Sequence, residues 1–340
     1  MPYDLILNIF SILRWQLEDC TSLESAMLTC RAFYHPARAV YWEKIHIGSQ
    51  LDSDKCPFTP AIRLNGPMVR KLSLTTMLHE HPVQHSALPD LSLFPGLHSC
   101  FWRIVGAHLT TLARVIGSLV HLENLCRLHL SAAFNITPLC LRPLTHRLKR
   151  LALDGGAGCS TDFVQLVSLS WPVLETLVVG MTHCSPDKSG DLVVENPAMT
   201  LPSLTNLFLA RFPPELDFLS FFRKLPSLLK LTILDTPNTP LRIHENLLPR
   251  LMWLRAPISL VRALVPLSPI EYLHLVGSQG VNDQQFFHFL HGKSLATLVC
   301  EYGFSTAQVQ NLLSDTFLGI DCTVLLKKLV VHPVCVPLYG

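Results

Sequence analysis

The chain is short of charge. Only 15% of its 340 residues are Asp, Glu, Lys or Arg, against 49% apolar. Disordered chains are charge-rich and apolar-poor, so disorder over most of the length is excluded. Long apolar runs are missing as well. The longest stretches without a charge, 128–141 and 196–210, carry Pro and polar residues, and a spanning helix needs about 20 predominantly apolar residues. The segment Met1 to Phe10 does not read as a signal peptide, because Asp4 stands where a basic region belongs and no small-residue cleavage site follows. A net charge of +2 is too balanced for nucleic-acid binding by bulk charge. The 11 cysteines are odd in number and include no C-x-x-C, which speaks against a disulfide framework. They read as reduced, mostly buried thiols of an intracellular protein, cytoplasmic or nuclear.

Signatures of catalysis are also scarce. There is no G-x-S-x-G. His79, His81 and His85 cluster without the H-E-x-x-H spacing and without a Cys pair nearby, so loop histidines are expected rather than a metal site. Gly155-Gly156-Ala157-Gly158 follows an expected strand and precedes a helix expected at Thr161. It lacks the Lys-Ser/Thr of a phosphate loop and the third Gly of a dinucleotide fingerprint. No catalytic residue, metal or cofactor is assigned.

What the chain has in abundance is leucine, 64 residues of it. A unit of the form L-x-x-L-x-apolar recurs, led by Val69, Leu97, Leu125, Leu148, Leu174, Leu204, Leu228, Leu251, Ile270, Leu295 and Leu326. Its second apolar position is Leu in every unit except at Cys100. Several units share a lead-in, as in Leu201-Pro202-Ser203-Leu204, Leu225-Pro226-Ser227-Leu228 and Leu248-Pro249-Arg250-Leu251. Helical stretches are expected between units: Glu215 to Leu225 with Leu216, Leu219 and Phe222 on one face, one capped by Asn282, and one opened by Ser305-x-x-Gln308. Each unit then supplies a short strand, its apolar residues turned in at period two, and a helical cover. No unit can bury its apolar side alone, so the units must stack.

Residues 1–47 have a different texture. Leu5, Ile6, Ile9, Phe10 and Leu13 form a helical stripe, with Pro2 suited to the first turn. A second stripe uses Leu23, Ala26, Met27 and Cys30. A third runs from Phe33 to Trp42 and is expected to break at Pro36.

Two resemblances follow from these residues. The recurring unit, spaced mostly 20–30 residues apart, resembles the leucine-rich repeat over about residues 69–331, although the Asn or Cys that normally follows the second strand leucine is absent from nearly every unit. The N-terminal run Met1-Pro2-Tyr3-Asp4-Leu5-Ile6-Leu7-Asn8-Ile9-Phe10 resembles the F-box, as do Leu13, Leu23, Ala26, Thr29-Cys30-Arg31, Phe33 and Tyr41-Trp42. It departs from that pattern in Met1, where Leu is usual, and in a longer loop from Arg14 to Thr21. The expected architecture is therefore α/β: a three-helix F-box over 1–47, a linker over 48–68, and an irregular solenoid of about eleven repeats over 69–340. Parallel strands would line the concave face and helices the outside.

An F-box followed by such repeats resembles the substrate receptors of Skp–cullin–F-box ubiquitin ligases. The resemblance implies a non-catalytic adaptor. Pro2, Leu5, Ile9, Phe10, Leu13, Leu23, Cys30 and Trp42 would dock on the Skp subunit, which links to the cullin, and the strands would hold a substrate protein. Outward strand positions supply the candidates for that substrate surface. Lys71, Arg103, Arg127, His129 and Arg150 form a basic group suited to acidic or phosphorylated segments. Phe208, Trp253 and Tyr272 form an aromatic group suited to anchoring a side chain. Neither a nucleic acid nor a membrane is expected as a partner. The rival reading is a repeat scaffold with no ubiquitin-ligase link.

Overall fold

The structure is a computed structural model. It describes residues 3–15, 20–48, 59–77, 90–105, 109–132, 138–155, 163–180, 201–212, 217–235, 247–276, 295–300 and 328–331. The chain divides into two compact units, Met1–Leu148 and Lys149–Gly340.

The first unit opens with three helices: α1 (Tyr3–Trp15), α2 (Cys20–Thr29) and α3 (Arg31–Glu43). Their shared core is Ile6, Phe10, Leu23, Ala37 and Val40, with Leu7, Leu13, Ala26, Met27, Phe33 and Tyr41 packed around it. Phe10 meets Phe33 edge-on, ring centroids 5.9 Å apart, the geometry that aromatic quadrupoles prefer. The break expected at Pro36 does not occur. Pro36 is buried inside a continuous α3. It forgoes one backbone bond, but packing of Pro36, Ala37 and Val40 outweighs that loss.

A short helix, α4 (Thr59–Asn65), is tied to α3 through a buried amide. Arg38 Nε donates to Asn65 Oδ1 at 2.7 Å, and Asn65 Nδ2 donates to the Ala61 carbonyl at 2.8 Å. Both ends of the buried side chain are thus satisfied. The next residue, Gly66, must be glycine, because a Cβ there would collide with the Leu93 carbonyl.

Four parallel strands follow in register: β1 (Lys44–Ile47), β2 (Lys71–Met77), β3 (Ser99–Val105) and β4 (Arg127–Ala132). The alternation is strict. Leu72, Leu74, Cys100, Trp102, Ile104, Leu128, Leu130 and Ala132 are all buried. β1 is unexpected. It continues directly from α3 and pairs with β2, so the sheet begins inside the segment read as purely helical. Its sequence, Lys44-Ile45-His46-Ile47, has no leucine and so carries no repeat signature. The connection from β3 to β4 is α5 (Leu109–Leu119). Arg147 Nη2 donates to the Leu119 and Val120 carbonyls at 3.0 and 2.9 Å, satisfying groups left open at that helix's C-terminal end.

The second unit repeats the scheme with eight parallel strands, each paired with the next. They are β5 (Arg150–Gly155), β6 (Thr176–Val179), β7 (Asn206–Arg211), β8 (Lys230–Asp235), β9 (Trp253–Pro257), β10 (Tyr272–Val276), β11 (Thr297–Cys300) and β12 (Lys328–Val331). Leu151, Leu177, Leu207, Leu231, Leu254, Leu273, Leu298 and Leu329 stand side by side along one register line. The first seven are buried. The leading residues Leu174, Leu204, Leu228, Leu251, Ile270 and Leu295 are buried too.

The Leu-Pro-x-Leu lead-in is a turn with a purpose. The N–H groups of Leu204, Leu228 and Leu251 donate to the carbonyls of Leu201, Leu225 and Leu248, each at 3.2 Å. Proline suits the second position of such a turn because its φ is already set. Each turn seats two leucines in the core three residues apart.

Three short helices are described in this unit: α6 (Phe163–Ser168), α7 (Phe218–Arg223) and α8 (Ile258–Leu264). α7 turns in Phe222, as expected from spacing, together with Phe218 and Phe221; Leu219, expected on the same face, is half-buried, and Leu216 lies outside the described residues. Phenylalanines decide the orientation: Phe212, Phe218, Phe221 and Phe222 form one cluster, with Phe163 against Phe221 at 5.6 Å. The helices expected after Asn282 and Ser305, the Gly156–Gly158 turn and the histidines at 79, 81 and 85 lie outside the described residues. No helix among the described residues is long and apolar enough to cross a membrane.

Candidate adaptor and substrate surfaces

The amphipathic spacing of α1 produces two apolar faces rather than one. Ile6 and Phe10 point into the three-helix core, with Leu13 packed against it. Leu5, Ile9 and Ile12 stay 48%, 40% and 46% exposed. At i, i+4 and i+7 these three share one outer stripe. On α2, Leu28 is 89% exposed. An isolated exposed leucine is ordinary; a stripe of three branched residues on one helix is not.

The eight expected docking residues therefore separate. Leu5 and Ile9 are on the open stripe, joined by Ile12, which the reading of the sequence missed although its spacing marks it. Phe10 and Leu23 are core residues that hold the helices together and present no surface. Leu13 is half-buried, Trp42 is half-buried and edge-on to Tyr41 at 5.7 Å, and Cys30 is exposed at the start of α3. Pro2 lies outside the described residues.

The outward strand positions also separate, by height along the strand. In the first unit, Lys71, Ser99 and Arg127 are register partners at the starts of β2, β3 and β4. Arg103 sits four residues further along, beside Thr75 and Ser131, about 13 Å from that row at 3.3 Å per residue. His129 is at intermediate height and meets Phe101 edge-on at 4.6 Å. Of the expected basic group, then, the first unit unites Lys71 and Arg127 and leaves Arg103 apart.

Lys71 and Arg127 are joined by residues not anticipated. A hollow of about 360 Å³ is lined by Arg70, Lys71, His98, Ser99, Cys126 and Arg127. Its residues come from the same two positions of three successive units, the first of the strand and the one before it. The backbone fixes this arrangement. Both His98 and Ser99 donate their N–H groups to the Arg70 carbonyl, and both Cys126 and Arg127 donate theirs to the His98 carbonyl, at 2.9–3.0 Å. Arg70 Nη1 donates to the Gly96 carbonyl at 2.9 Å, and His98 Nδ1 lies 2.7 Å from the same oxygen. A carbonyl only accepts, so Nδ1 carries the proton there. Glu43 Oε1 pairs with Lys71 Nζ at 2.9 Å. Among the described residues no carboxylate pairs with Arg127.

In the second unit, Arg150 is exposed at the start of β5 beside Thr176, and Phe208 is half-buried two residues into β7's outward series. Trp253 and Tyr272 are register partners and stack, centroids 5.0 Å apart with planes at 11°. This unit thus unites Trp253 and Tyr272 but places Phe208 on a different rung, with Thr232 and Arg255.

The four cysteines whose side chains are described are less buried than expected. Among Cys30, Cys100, Cys126 and Cys140, only Cys100 is buried. Burial pushes its thiol up to about 12 and that of Cys140 up to about 11, holding both neutral. Neither has the depressed pKa of a cysteine nucleophile. No protein-family model matches the chain, and no curated protein matches it.

Proposed function

We propose that the chain is a non-catalytic substrate receptor of a Skp–cullin–F-box ubiquitin ligase, working inside the cell. Helices α1–α3 act as the F-box and dock on the Skp subunit. The strands form a leucine-rich-repeat solenoid whose outward residues, on its concave face, hold a substrate protein. Ubiquitin transfer occurs on another subunit, and this chain contributes proximity, which turns a bimolecular encounter into a near-intramolecular one.

The observation that carries the reading is the division of α1. A three-helix segment with its own core leaves Leu5, Ile9 and Ile12 uncovered on one stripe. That is the form of a helix prepared for a partner's apolar groove. The burial of Phe10 and Leu23 favours the rival, a repeat scaffold without ligase link, because it removes two residues from the docking surface.

Co-expression with a Skp subunit, followed by size-exclusion chromatography with light scattering, separates the two. The receptor reading predicts a one-to-one complex with wild type and none with Ile9→Asp. Free wild-type chain beside free Skp subunit would leave the scaffold.

A further inference from the structure

We propose that the stacked rings of Trp253 and Tyr272 seat a proline-rich segment of a partner protein, its prolines in P-x-x-P spacing on either side of the stack. The inference rests on reading the outward strand faces as the partner-holding part of the chain, and is independent of the adaptor link. The stack belongs to the framework of the sheet. Met252 and Trp253 donate their N–H groups to the Leu229 carbonyl, Glu271 and Tyr272 theirs to the Met252 carbonyl, and Ala296 and Thr297 theirs to the Glu271 carbonyl, at 2.7–3.1 Å. Lys230, Trp253, Tyr272 and Thr297 are thereby register partners at the starts of β8, β9, β10 and β11.

The rings form a closed ridge between two grooves. Their centroids lie 5.0 Å apart, close to the spacing of neighbouring strands, about 4.8 Å. Side by side at that distance, with planes at 11°, each covers one face of the other. The second face of Trp253 borders the groove toward Lys230, and that of Tyr272 the groove toward Thr297. Thr297 is small, and Lys230 is exposed, with a stem that can pack along an apolar guest. Met252, 42% exposed in the position before Trp253, widens the apolar area. Trp, Tyr and Met side chains gathered on one surface have the composition of an interface anchor.

Spacing selects the occupant. The two grooves are two strand spacings apart, about 9–10 Å. A polyproline helix rises about 3.1 Å per residue with three residues per turn, so its same-face residues recur at about 9.3 Å. Laid across the strands, it drops one proline into each groove and bridges the ridge with the residues between. An α-helix has same-face residues at i+3 and i+4, about 5–6 Å on, and sets them on the ridge itself. Proline hydrogens meet the negative faces of the rings, and carbonyls that this helix leaves open can accept from the Thr297 hydroxyl. Charge completes the match. Lys230 beside Trp253 and Glu271 before Tyr272 are both exposed, and neither is in an ion pair among the described residues. The guest therefore carries an acidic residue beside one proline and a basic residue beside the other.

The test uses the full chain and fluorescence anisotropy. The probes are two labelled peptide pools with a fixed P-x-x-P, one flanked acid-first and base-last, the other reversed. The same pools carrying A-x-x-A or P-x-x-x-P are the controls. One polarity of P-x-x-P should bind at least about tenfold more tightly than its controls, and Trp253→Ala should remove at least about that factor, the scale of an interface anchor. Arg127→Gln, in the first unit, should leave binding unchanged. Lys230→Glu combined with Glu271→Lys alters only exposed side chains, and that double variant should bind the reversed polarity instead. Loss of the fold cannot produce such an exchange of preference. The proposal is overturned if neither P-x-x-P pool binds, if a control pool binds equally well, or if the double variant keeps the original preference. A chain that binds the Skp subunit but not the P-x-x-P pools keeps the ligase reading without this inference. Trp253-dependent binding by a chain that ignores the Skp subunit does the reverse.

Discussion

Every surface assignment on the strands depends on their register, since a slip of one residue exchanges inside for outside. Neighbours Trp253 and Leu254 in β9 test it in opposite directions. Leu254 is fully buried, between Leu231 and Leu273 on the register line. Trp253 is half-buried, outward and stacked on Tyr272. Leu254→Ala removes a leucine from a packed core, a change that costs about 2–5 kcal/mol. Trp253→Ala loses mainly a ring pair worth about 0.5–1.5 kcal/mol, plus part of its apolar area. The smaller residue should therefore matter more. Under a slipped register the order inverts, because an inward Trp→Ala costs about 3–5 kcal/mol and an outward Leu→Ala almost nothing. Stacked repeats need not unfold in one step, so the readout is amide hydrogen exchange of β9 and β10. Leu254→Ala should accelerate it at least about 30-fold, the equivalent of about 2 kcal/mol in local opening. Trp253→Ala should do so by less than about tenfold. A larger effect from Trp253→Ala than from Leu254→Ala would refute the register and the surfaces built on it.

Three further outcomes are expected. Phe10→Ala should melt α1–α3, costing about 3–5 kcal/mol in a core of five buried residues, while Ile9→Asp should leave helicity and exchange of the same segment nearly unchanged. At Asp217, the N-cap of α7, hydrogen bonding from the Ser220 side chain, then from the Ser220 and Leu219 N–H groups, holds the carboxyl below its usual range against partial burial. Its stabilisation is thus present above about pH 3.9 and lost as pH falls through the folded value; Asp217→Ala should cost about 1 kcal/mol at neutral pH and flatten that part of the acid-unfolding curve. Iodoacetamide at pH 8 with peptide mapping should label exposed Cys30 and leave Cys100, its thiol pushed up to about 12, unmodified until the chain unfolds.

The strand ladder was legible because leucine repeats with a fixed internal spacing. The expected leading residues from Val69 to Leu295 are all buried, and each second position is the second residue of a strand. What escaped lacked that signal. β1 has isoleucines where the unit has leucines, and α3 runs through Pro36 because tertiary burial overrides a local preference. In α1, a stripe of five apolar residues could not show which would face the core. Contacts with α2 and α3 decide that, and they divide it between Ile6 and Phe10 inside and Leu5 and Ile9 outside. The basic surface was read strand by strand, which gives side but not height. Height comes from register, which pairs Lys71 with Ser99 and Arg127 and leaves Arg103 four residues away. Arg70 and His98 precede their strands, so alternation within the strands could not mark them.

The most direct test of the account is hydrogen exchange across the full chain, free and mixed with a Skp subunit. The account predicts strong protection confined to α1–α3, centred on the Leu5, Ile9 and Ile12 stripe, with the exchange of β2–β4 unchanged. No protection of α1, or protection appearing on the strands instead, would contradict it.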